Sequence, residues 1–429
     1  MTSEKSASHR SGNKKNELFG LVGEKLGHSY SRLIHESLNE YDYELFPMPE
    51  KELKDFIRKR EFTGLNVTIP YKKTVMRFCD VLDPAAREIG AVNTLYFRSG
   101  KLHGANTDYT GFLYMASGAG ISFAEKKVLI LGSGGASLMA QYAVRSQHAS
   151  QIYVASRSLK GTSGDITFVS YDHLPEDVRI IINATPAGMF PDNEGCPADL
   201  DDFPECRGVI DLIYNPFSTK LILQAKDRGI KCSGGFPMLV AQATAAAELF
   251  LDRRGLTERN EELVRDLRFS LENIILTGMP GCGKTTVGKI IAAKTQRDFV
   301  DLDEEAVKIA GKTIPDIFRQ DGETAFRNIE SRVCAAFGRK NSLVISTGGG
   351  TVLRERNMMY LRQNGRIFFL QRPADLLDTD GRPLSSDAET LEKMYSERLP
   401  LYRKYSDTDI KNCGLPEESA EMVISTVRS

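Results

Sequence analysis

Cysteine is sparse: seven are spread over 429 residues, and none forms a C-x-x-C pair. That spacing offers neither a zinc-ligand motif nor a disulfide framework. It reads as reduced thiols in a cytosol-like, cytoplasmic compartment. Excess charge of either sign is also missing, because 56 basic and 57 acidic side chains leave a formal net charge of −1. Whole-chain electrostatics therefore give no footing on nucleic acid or on an anionic membrane surface. No apolar run approaches the roughly eighteen residues of a membrane-spanning helix. Residues 1–16, MTSEKSASHRSGNKKN, hold no hydrophobic segment of the kind a secretory signal needs. They read as a floppy tail, with a very short transit segment as the alternative.

What is present is ordinary globular material, 41% hydrophobic and 26% charged. The length predicts two domains of roughly 150–250 residues. Short Val/Ile/Leu-rich runs at 18–22, 127–131, 151–155, 179–183, 208–212, 273–277, 342–346 and 366–370 alternate with helical patterns. Apolar strands alternating with helices predict an α/β fold with parallel sheets buried on both faces. Two Gly-rich strand-to-helix turns, at 132–135 and 278–283, would each open a doubly wound domain. The charged stretch 252–268 between them reads as the end of one domain and a helical or irregular linker, with a boundary near Ser270.

Gly278-Met-Pro-Gly281-Cys282-Gly283-Lys284-Thr285-Thr286 satisfies G-x-x-x-x-G-K-[ST] after a strand and before a helical pattern. Backbone N–H groups of such a loop wrap phosphates. Lys284 supplies charge to them, and Thr285 offers a hydroxyl to Mg²⁺. In 299–303, strand alternation would point Asp301 and Asp303 the same way, where a cation or a substrate hydroxyl can use them. Taken alone the pair also reads as a solvated strand end.

Behind this loop follow Phe326-Arg327-Asn-Ile-Glu330, Ser346-Thr347-Gly348-Gly349-Gly350, Gly381-Arg382-Pro383-Leu384 and Arg398-Leu-Pro-Leu-Tyr402. In this order they resemble shikimate kinase over nearly all of 272–429. The resemblance implies a P-loop αβα sandwich with ATP bound at 281–286 and Asp301 as a water-mediated magnesium ligand. It further implies shikimate held by Asp303, Arg327, Gly349, Gly350 and Arg398. Lys284 and Arg382 would serve the transferring phosphoryl group, Arg382 from a lid. This lid is short: only Asp378-Thr-Asp-Gly381 separates Leu377 from Arg382, with no second arginine for the adenine.

The first glycine loop, Gly132-Ser133-Gly134-Gly135-Ala136, is a loose dinucleotide fingerprint, and a structural turn is the competing reading. No acid occurs between Lys126 and Gly164 to take a ribose 2′-hydroxyl. Arg157, after the next apolar run, stands where a 2′-phosphate would lie, which favours NADP over NAD. From Ser158 to Asp165 only eight residues remain before the following strand. A parallel crossover normally needs about a dozen or more, so its helix should be lost or cut to a turn.

Around this loop lie Ser29-Tyr30-Ser31, Gly64-Leu-Asn-Val-Thr68-Ile-Pro-Tyr-Lys72, Gly90-Ala-Val-Asn93 and Asn106-Thr107-Asp108. Downstream come Asn183-Ala-Thr-Pro-Ala-Gly188, Tyr214-Asn-Pro and Gly235-Phe-Pro-Met238-Leu-Val-Ala-Gln242. Together they resemble shikimate dehydrogenase over about 17–268. The resemblance implies a catalytic domain at 17–112 with 235–268, and an NADP-binding Rossmann domain at 113–234. Lys72 and Asp108 would be the catalytic pair; alone, Lys72 reads as a surface lysine. Ser29 and Ser31 would bind the substrate carboxylate, and Thr68, Asn93, Asp108, Tyr214 and Gln242 its oxygens. Gly132 to Ala136, Ser156, Arg157, Ser158, Leu212, Gly235 and Met238 would line the cofactor. Ser156 replaces the Asn the family usually has there.

The two resemblances name one metabolite, implying reduction of 3-dehydroshikimate to shikimate and then its phosphorylation. Small-molecule substrates are the implied partners, with room for a homodimer through the dehydrogenase half. A quinate-preferring first half and a catalytically dead sensor are the other readings. A sensor could have shed Lys72, Asp108, Lys284, Asp301 or Arg382, and all five are present.

Overall fold

The computed structural model describes residues 17–27, 29–158, 161–373, 377 and 388–428. The chain divides into two compact units, one of Met1–Leu113 with Leu239–Asn260 and one of Tyr114–Met238 with Glu261–Ser429. Among the described residues no helix is long and apolar enough to cross a membrane.

In the first unit, β1 (Phe19–Gly23), β2 (Glu44–Pro47), β3 (Gly64–Val67), β4 (Val81–Leu82), β5 (Thr94–Arg98) and β6 (Lys101–Ala105) form one sheet ordered β2-β1-β3-β5-β6-β4. β1 and β3 are parallel, while β5 runs antiparallel to β3 and β6. Val22 pairs with Val67, Asn66 with Thr94 and Thr94 with Ala105, so β1, β3 and β6 end where β5 begins. One sheet edge thereby receives the segments after three strands. Gly64 leaves room for the Phe250 ring, which packs against the sheet from the returning segment.

The second unit holds two sheets. The first is ordered β13-β12-β11-β7-β8-β10-β9, from β7 (Lys127–Leu131), β8 (Gln151–Ala155), β9 (Gly161–Ser163), β10 (Ile166–Val169), β11 (Ile180–Asn183), β12 (Gly208–Asp211) and β13 (Lys231–Ser233). All pairs are parallel except β9 with β10. The short 158–165 interval has no helix among its described residues. Its end folds instead into the edge strand β9, because a tight antiparallel return needs far fewer residues than a parallel crossover.

The second sheet is all parallel, ordered β15-β16-β14-β17-β18, from β14 (Asn273–Thr277), β15 (Asp298–Asp301), β16 (Leu343–Ser346), β17 (Gly365–Gln371) and β18 (Thr408–Lys411). Every residue of β14 is buried, as expected of a central strand covered on both faces. The charged linker is ordered as the helix Asn260–Leu271.

The two sheets of this unit are joined through the helix Glu355–Asn364. Asn193 and Gln363 are buried against each other: the Asn193 amide donates to Gln363 Oε1, and Gln363 Nε2 donates to the Asn193 carbonyl at 2.7 Å. The Phe217 N–H reaches Asn364 Oδ1 at 3.1 Å, and the Ser218 N–H reaches the Gln363 carbonyl at 2.9 Å. Glu194 accepts from Arg356 at 2.8 Å and from the Tyr360 hydroxyl at 2.5 Å.

Candidate active sites

The glycine loop after β14 opens a cavity of about 850 Å³ lined by Lys284, Thr285, Asp301, Asp303, Arg327 and Arg398, among others. Gly283 has φ +93°, a left-handed conformation that frees the next residue to start the helix Lys284–Thr295. Lys284 is buried, and its ammonium donates to the carbonyls of Gly278 and Met279 at 2.9 Å each. The Asn412 amide donates to the Cys282 carbonyl at 2.6 Å, which braces the loop from β18.

Asp301 and Asp303 come together by a different route from strand alternation. The strand stops at Asp301, whose carboxylate caps the helix Leu302–Ala310 by accepting from the Asp303 N–H at 3.0 Å. A helix cap overrode the strand pattern because an Asp before an apolar helical run satisfies the free first-turn N–H groups. The other Asp301 oxygen accepts from the Thr285 hydroxyl at 3.0 Å. Burial and then the Asp301 charge push the Asp303 carboxyl up to about 6.

Opposite them, Arg327 is buried and pairs with Glu330 at 3.0 Å and Glu323 at 3.2 Å. Glu330 also accepts from the Thr351 hydroxyl at 2.9 Å, which ties Arg327 to the turn after Gly350. Any Cβ at Gly350 would collide with the Arg327 guanidinium. Arg398 and the Tyr402 hydroxyl both donate to the Gly349 carbonyl, at 3.1 and 2.6 Å.

In the first unit, the sheet edge described above carries Ser29, Ser31, Thr68, Lys72, Asn93 and Asp108 on the segments that leave or enter it. The Lys72 ammonium meets the Asp108 carboxylate at 2.5 Å. The pair is held from both sides. Lys72 is fixed by its carbonyl, which accepts from the Val92 N–H at 2.8 Å. Asp108 follows Thr107, whose N–H and hydroxyl bond the buried Asn93 side chain. Asn93 is therefore already engaged in placing Asp108, a use its sequence position did not reveal. The Ser29 hydroxyl accepts from the Ser31 N–H at 3.2 Å, and the Gln242 amide donates to the Leu239 carbonyl at 2.9 Å.

In the second unit, Gly134 caps the helix Gly135–Ser146 after β7. Ser133 and Ser156 hydroxyls meet at 3.1 Å, and Ser156 also accepts from the Ser158 N–H, so the two turns after β7 and β8 are tied together. Arg157 is exposed beside them. The Gly235 N–H donates to the Ile213 carbonyl at 2.8 Å, bringing the start of the helix Phe236–Leu251, with Met238, beside the 212–214 turn. Under that turn Asp211 is buried, accepting from Asn183, Thr219 and the Ile213 N–H, and burial pushes it up to about 6.

Residues 21–95 match the family model "Shikimate dehydrogenase substrate binding domain", and residues 280–428 match "Shikimate kinase". A shikimate dehydrogenase (NADP(+)) of Clostridium beijerinckii is 38% identical over 247 residues, which cover 54% of this chain and 92% of that protein. The chain belongs to the shikimate dehydrogenase family. A chorismate mutase/shikimate 5-dehydrogenase fusion protein from Clostridium acetobutylicum superposes with a TM-score of 0.55 at 36% identity, covering 59% of this chain and 97% of its own. The Thermus thermophilus shikimate 5-dehydrogenase in complex with NADP(H) and shikimate gives 0.52 at 31%, covering 58% and 99%. A shikimate dehydrogenase and a shikimate kinase are thus joined in one chain, a bifunctional enzyme of the shikimate pathway.

Arg382, expected on the kinase lid, lies outside the described residues. Arg372, at the end of β17, was not singled out from sequence. It lines the kinase cavity, and its Nε is buried without a hydrogen-bond partner among the described residues. Its position one residue past a buried strand, beside a P-loop, was the available signal. Glu330 and Asn412 were missed for another reason: their roles are to hold Arg327 and the glycine loop, and such partners follow no motif spacing.

Proposed function

We propose that the dehydrogenase part reduces 3-dehydroshikimate to shikimate with NADPH, and that the kinase part phosphorylates shikimate with ATP to shikimate 3-phosphate. The observation that carries the first step is the Lys72–Asp108 contact of 2.5 Å at the receiving sheet edge. Bound NADPH supplies the hydride that adds to the carbonyl carbon. Lys72 delivers a proton to the carbonyl oxygen, which becomes the hydroxyl, and Asp108 keeps the ammonium in place. Ser29 and Ser31 take the substrate carboxylate, and Thr68, Asn93 and Gln242 take its other oxygens. The cofactor lies along Gly132 to Ala136, Leu212, Gly235 and Met238. Arg157 takes its 2′-phosphate by a charge-assisted contact, with Ser156 and Ser158 shaping that turn.

In the kinase, Asp303 accepts the proton of the attacking hydroxyl, and the new O–P bond forms as the bond to the leaving ADP oxygen breaks. Lys284 and the N–H groups of 281–286 hold the phosphates. Arg372 adds a cation beside them, and Arg382 another from the lid. Arg327 and Arg398 hold the substrate carboxylate, with Gly349 and Gly350 admitting the ring. Thr285 and Asp301, 3.0 Å apart, have the hydroxyl and carboxylate chemistry that suits Mg²⁺, and those two would hold it. The bound ion would neutralise developing phosphate charge.

The deciding experiment offers purified protein shikimate or quinate with NADP or NAD and follows the reduced-nicotinamide absorbance. ADP release from ATP is measured separately with each acid. NADP-dependent shikimate oxidation together with shikimate-dependent ADP release is the expected result. Preference for quinate in the first assay would reassign the dehydrogenase substrate.

A further inference from the structure

Away from both sites, the junction inside the second unit encloses a cavity of about 330 Å³, lined from both of its sheets. That is the low end of ligand-site volumes and suits a small molecule. Its lining is dominated by cations: Lys226 on one side, and Arg268, Arg362 and Arg366 on the other.

Two of the carboxylates nearby are already divided among three of these. Glu272, also in the lining and only 5% exposed in its side chain, pairs with Arg268 at 2.8 Å and with Arg366 at 3.1 Å. Arg362 forms a fork with Asp227, at 2.6 and 3.1 Å. Asp407 lines the cavity too, and one of its oxygens accepts from the Ile367 N–H at 2.8 Å. Lys226 remains. Its ammonium donates to the Ser218 hydroxyl at 2.9 Å, and among the described residues it forms no ion pair. Burial, and then the Arg268 charge, hold this ammonium below the usual lysine range, against the opposing pull of the Asp407 and Glu272 charges. Arg268 Nε is likewise buried without a hydrogen-bond partner.

Four cations set against two carboxylates, Glu272 and Asp407, leave the lining of this cavity with net positive charge, which favours a bound anion. We propose that this cavity binds a small phosphate-type oxyanion, free or carried as a phosphomonoester, between Lys226 and Arg268. Arg268 Nε donates to one oxygen and the Lys226 ammonium to another. Because Lys226 comes from the cofactor-binding sheet's side and Arg268 from the kinase side, the anion fastens the two together. The site stands apart from both nucleotide loops, so the inference does not depend on the reactions proposed above.

The test uses the full-length protein with NADP and Mg-ADP at saturation, so that both nucleotide sites are filled. Inorganic phosphate and, separately, glycerol phosphate are titrated while amide hydrogen exchange is followed. The expected result is saturable slowing at the Ser218 amide, which lines the cavity, and at the Phe217 and Ile367 amides next to lining residues. Lys226→Met should raise the half-saturating concentration by about ten- to a hundredfold, the loss of one charge-assisted contact, while Lys226→Arg should retain most of the binding. Should Lys226→Met fail to fold, Arg268→Lys keeps the charge beside Glu272, removes Nε and should weaken binding in the same readout. Protection by glycerol phosphate as well as phosphate identifies a monoester site, and protection by phosphate alone a site for the free ion. No saturable protection in the wild type, or equal half-saturation in a folded Lys226→Met variant, overturns the proposal.

Discussion

In the proposed phosphoryl transfer Asp303 faces two opposing demands: it must be ionised to accept a proton, yet its surroundings favour the protonated form. With its carboxyl pushed up to about 6, kinase kcat/KM should rise through that pH and level off above it, a profile that stopped-time ADP assays would trace. The same shift has a stability consequence of definite sign. A raised carboxyl binds its proton more tightly folded than unfolded, so its contribution is greatest below about pH 4 and is lost as pH rises to about 6. Asp303→Asn should therefore gain melting temperature relative to wild type at pH 8 but not at pH 3.5, while losing turnover at pH 8. Equal shifts at the two pH values would show that Asp303 is not strained. Lys72→Ala should abolish NADP reduction by shikimate and leave shikimate-dependent ADP release intact, since Lys72 belongs to the first unit and the kinase loop to the second. For Arg157→Ala, the affinity for NADP should fall by roughly 1.5–3 kcal/mol while that for NAD hardly moves, a difference that fluorescence titration of the two reduced cofactors resolves. Equal weakening would deny Arg157 the 2′-phosphate.

Among the elements, those with strong local chemistry were legible. The apolar runs became buried strands, and the glycine loop opened the helix Lys284–Thr295 at the expected place. Legibility failed where local chemistry competes or where the partner is remote in sequence. Asp301 illustrates competition: alternation continued through Asp303 on paper, but a capping carboxylate ended the strand two residues sooner. The interval before β10 shows a choice that composition underdetermines, because two glycines suit a turn and an edge-strand return equally well. The helix Glu355–Asn364 illustrates remoteness. Gln363 and Asn193 are 170 positions apart, and nothing in either segment announces the other. Their pairing gives a stability prediction. Gln363→Ala strips the buried Asn193 of its acceptor and donor at once, which should cost about 1–3 kcal/mol in a denaturant titration. An unchanged midpoint would mean that water replaces Gln363 there.

At the scale of the whole molecule, the second unit unites the β7–β13 sheet with the β14–β18 sheet of the kinase through buried polar contacts, so heating should disrupt them together. Loss of NADPH binding and loss of kinase activity should follow one temperature curve in wild type, and separate in Gln363→Ala. Separate curves in wild type would make the junction energetically trivial. The first unit has a different history, written in its chain order. Its sheet is complete by Ala105, but the segment that covers it returns only at 239–260. Phe250 fills the space over Gly64, Arg253 pairs with Glu40 at 2.6 Å, and Arg259 reaches the Leu38 carbonyl at 3.2 Å. On the ribosome, therefore, the earliest-made sheet waits with an apolar face uncovered while more than a hundred further residues are synthesised. Codon choice and chaperone supply across 114–238 should therefore bear on the yield of this unit, whereas the kinase P-loop emerges only after that wait is over.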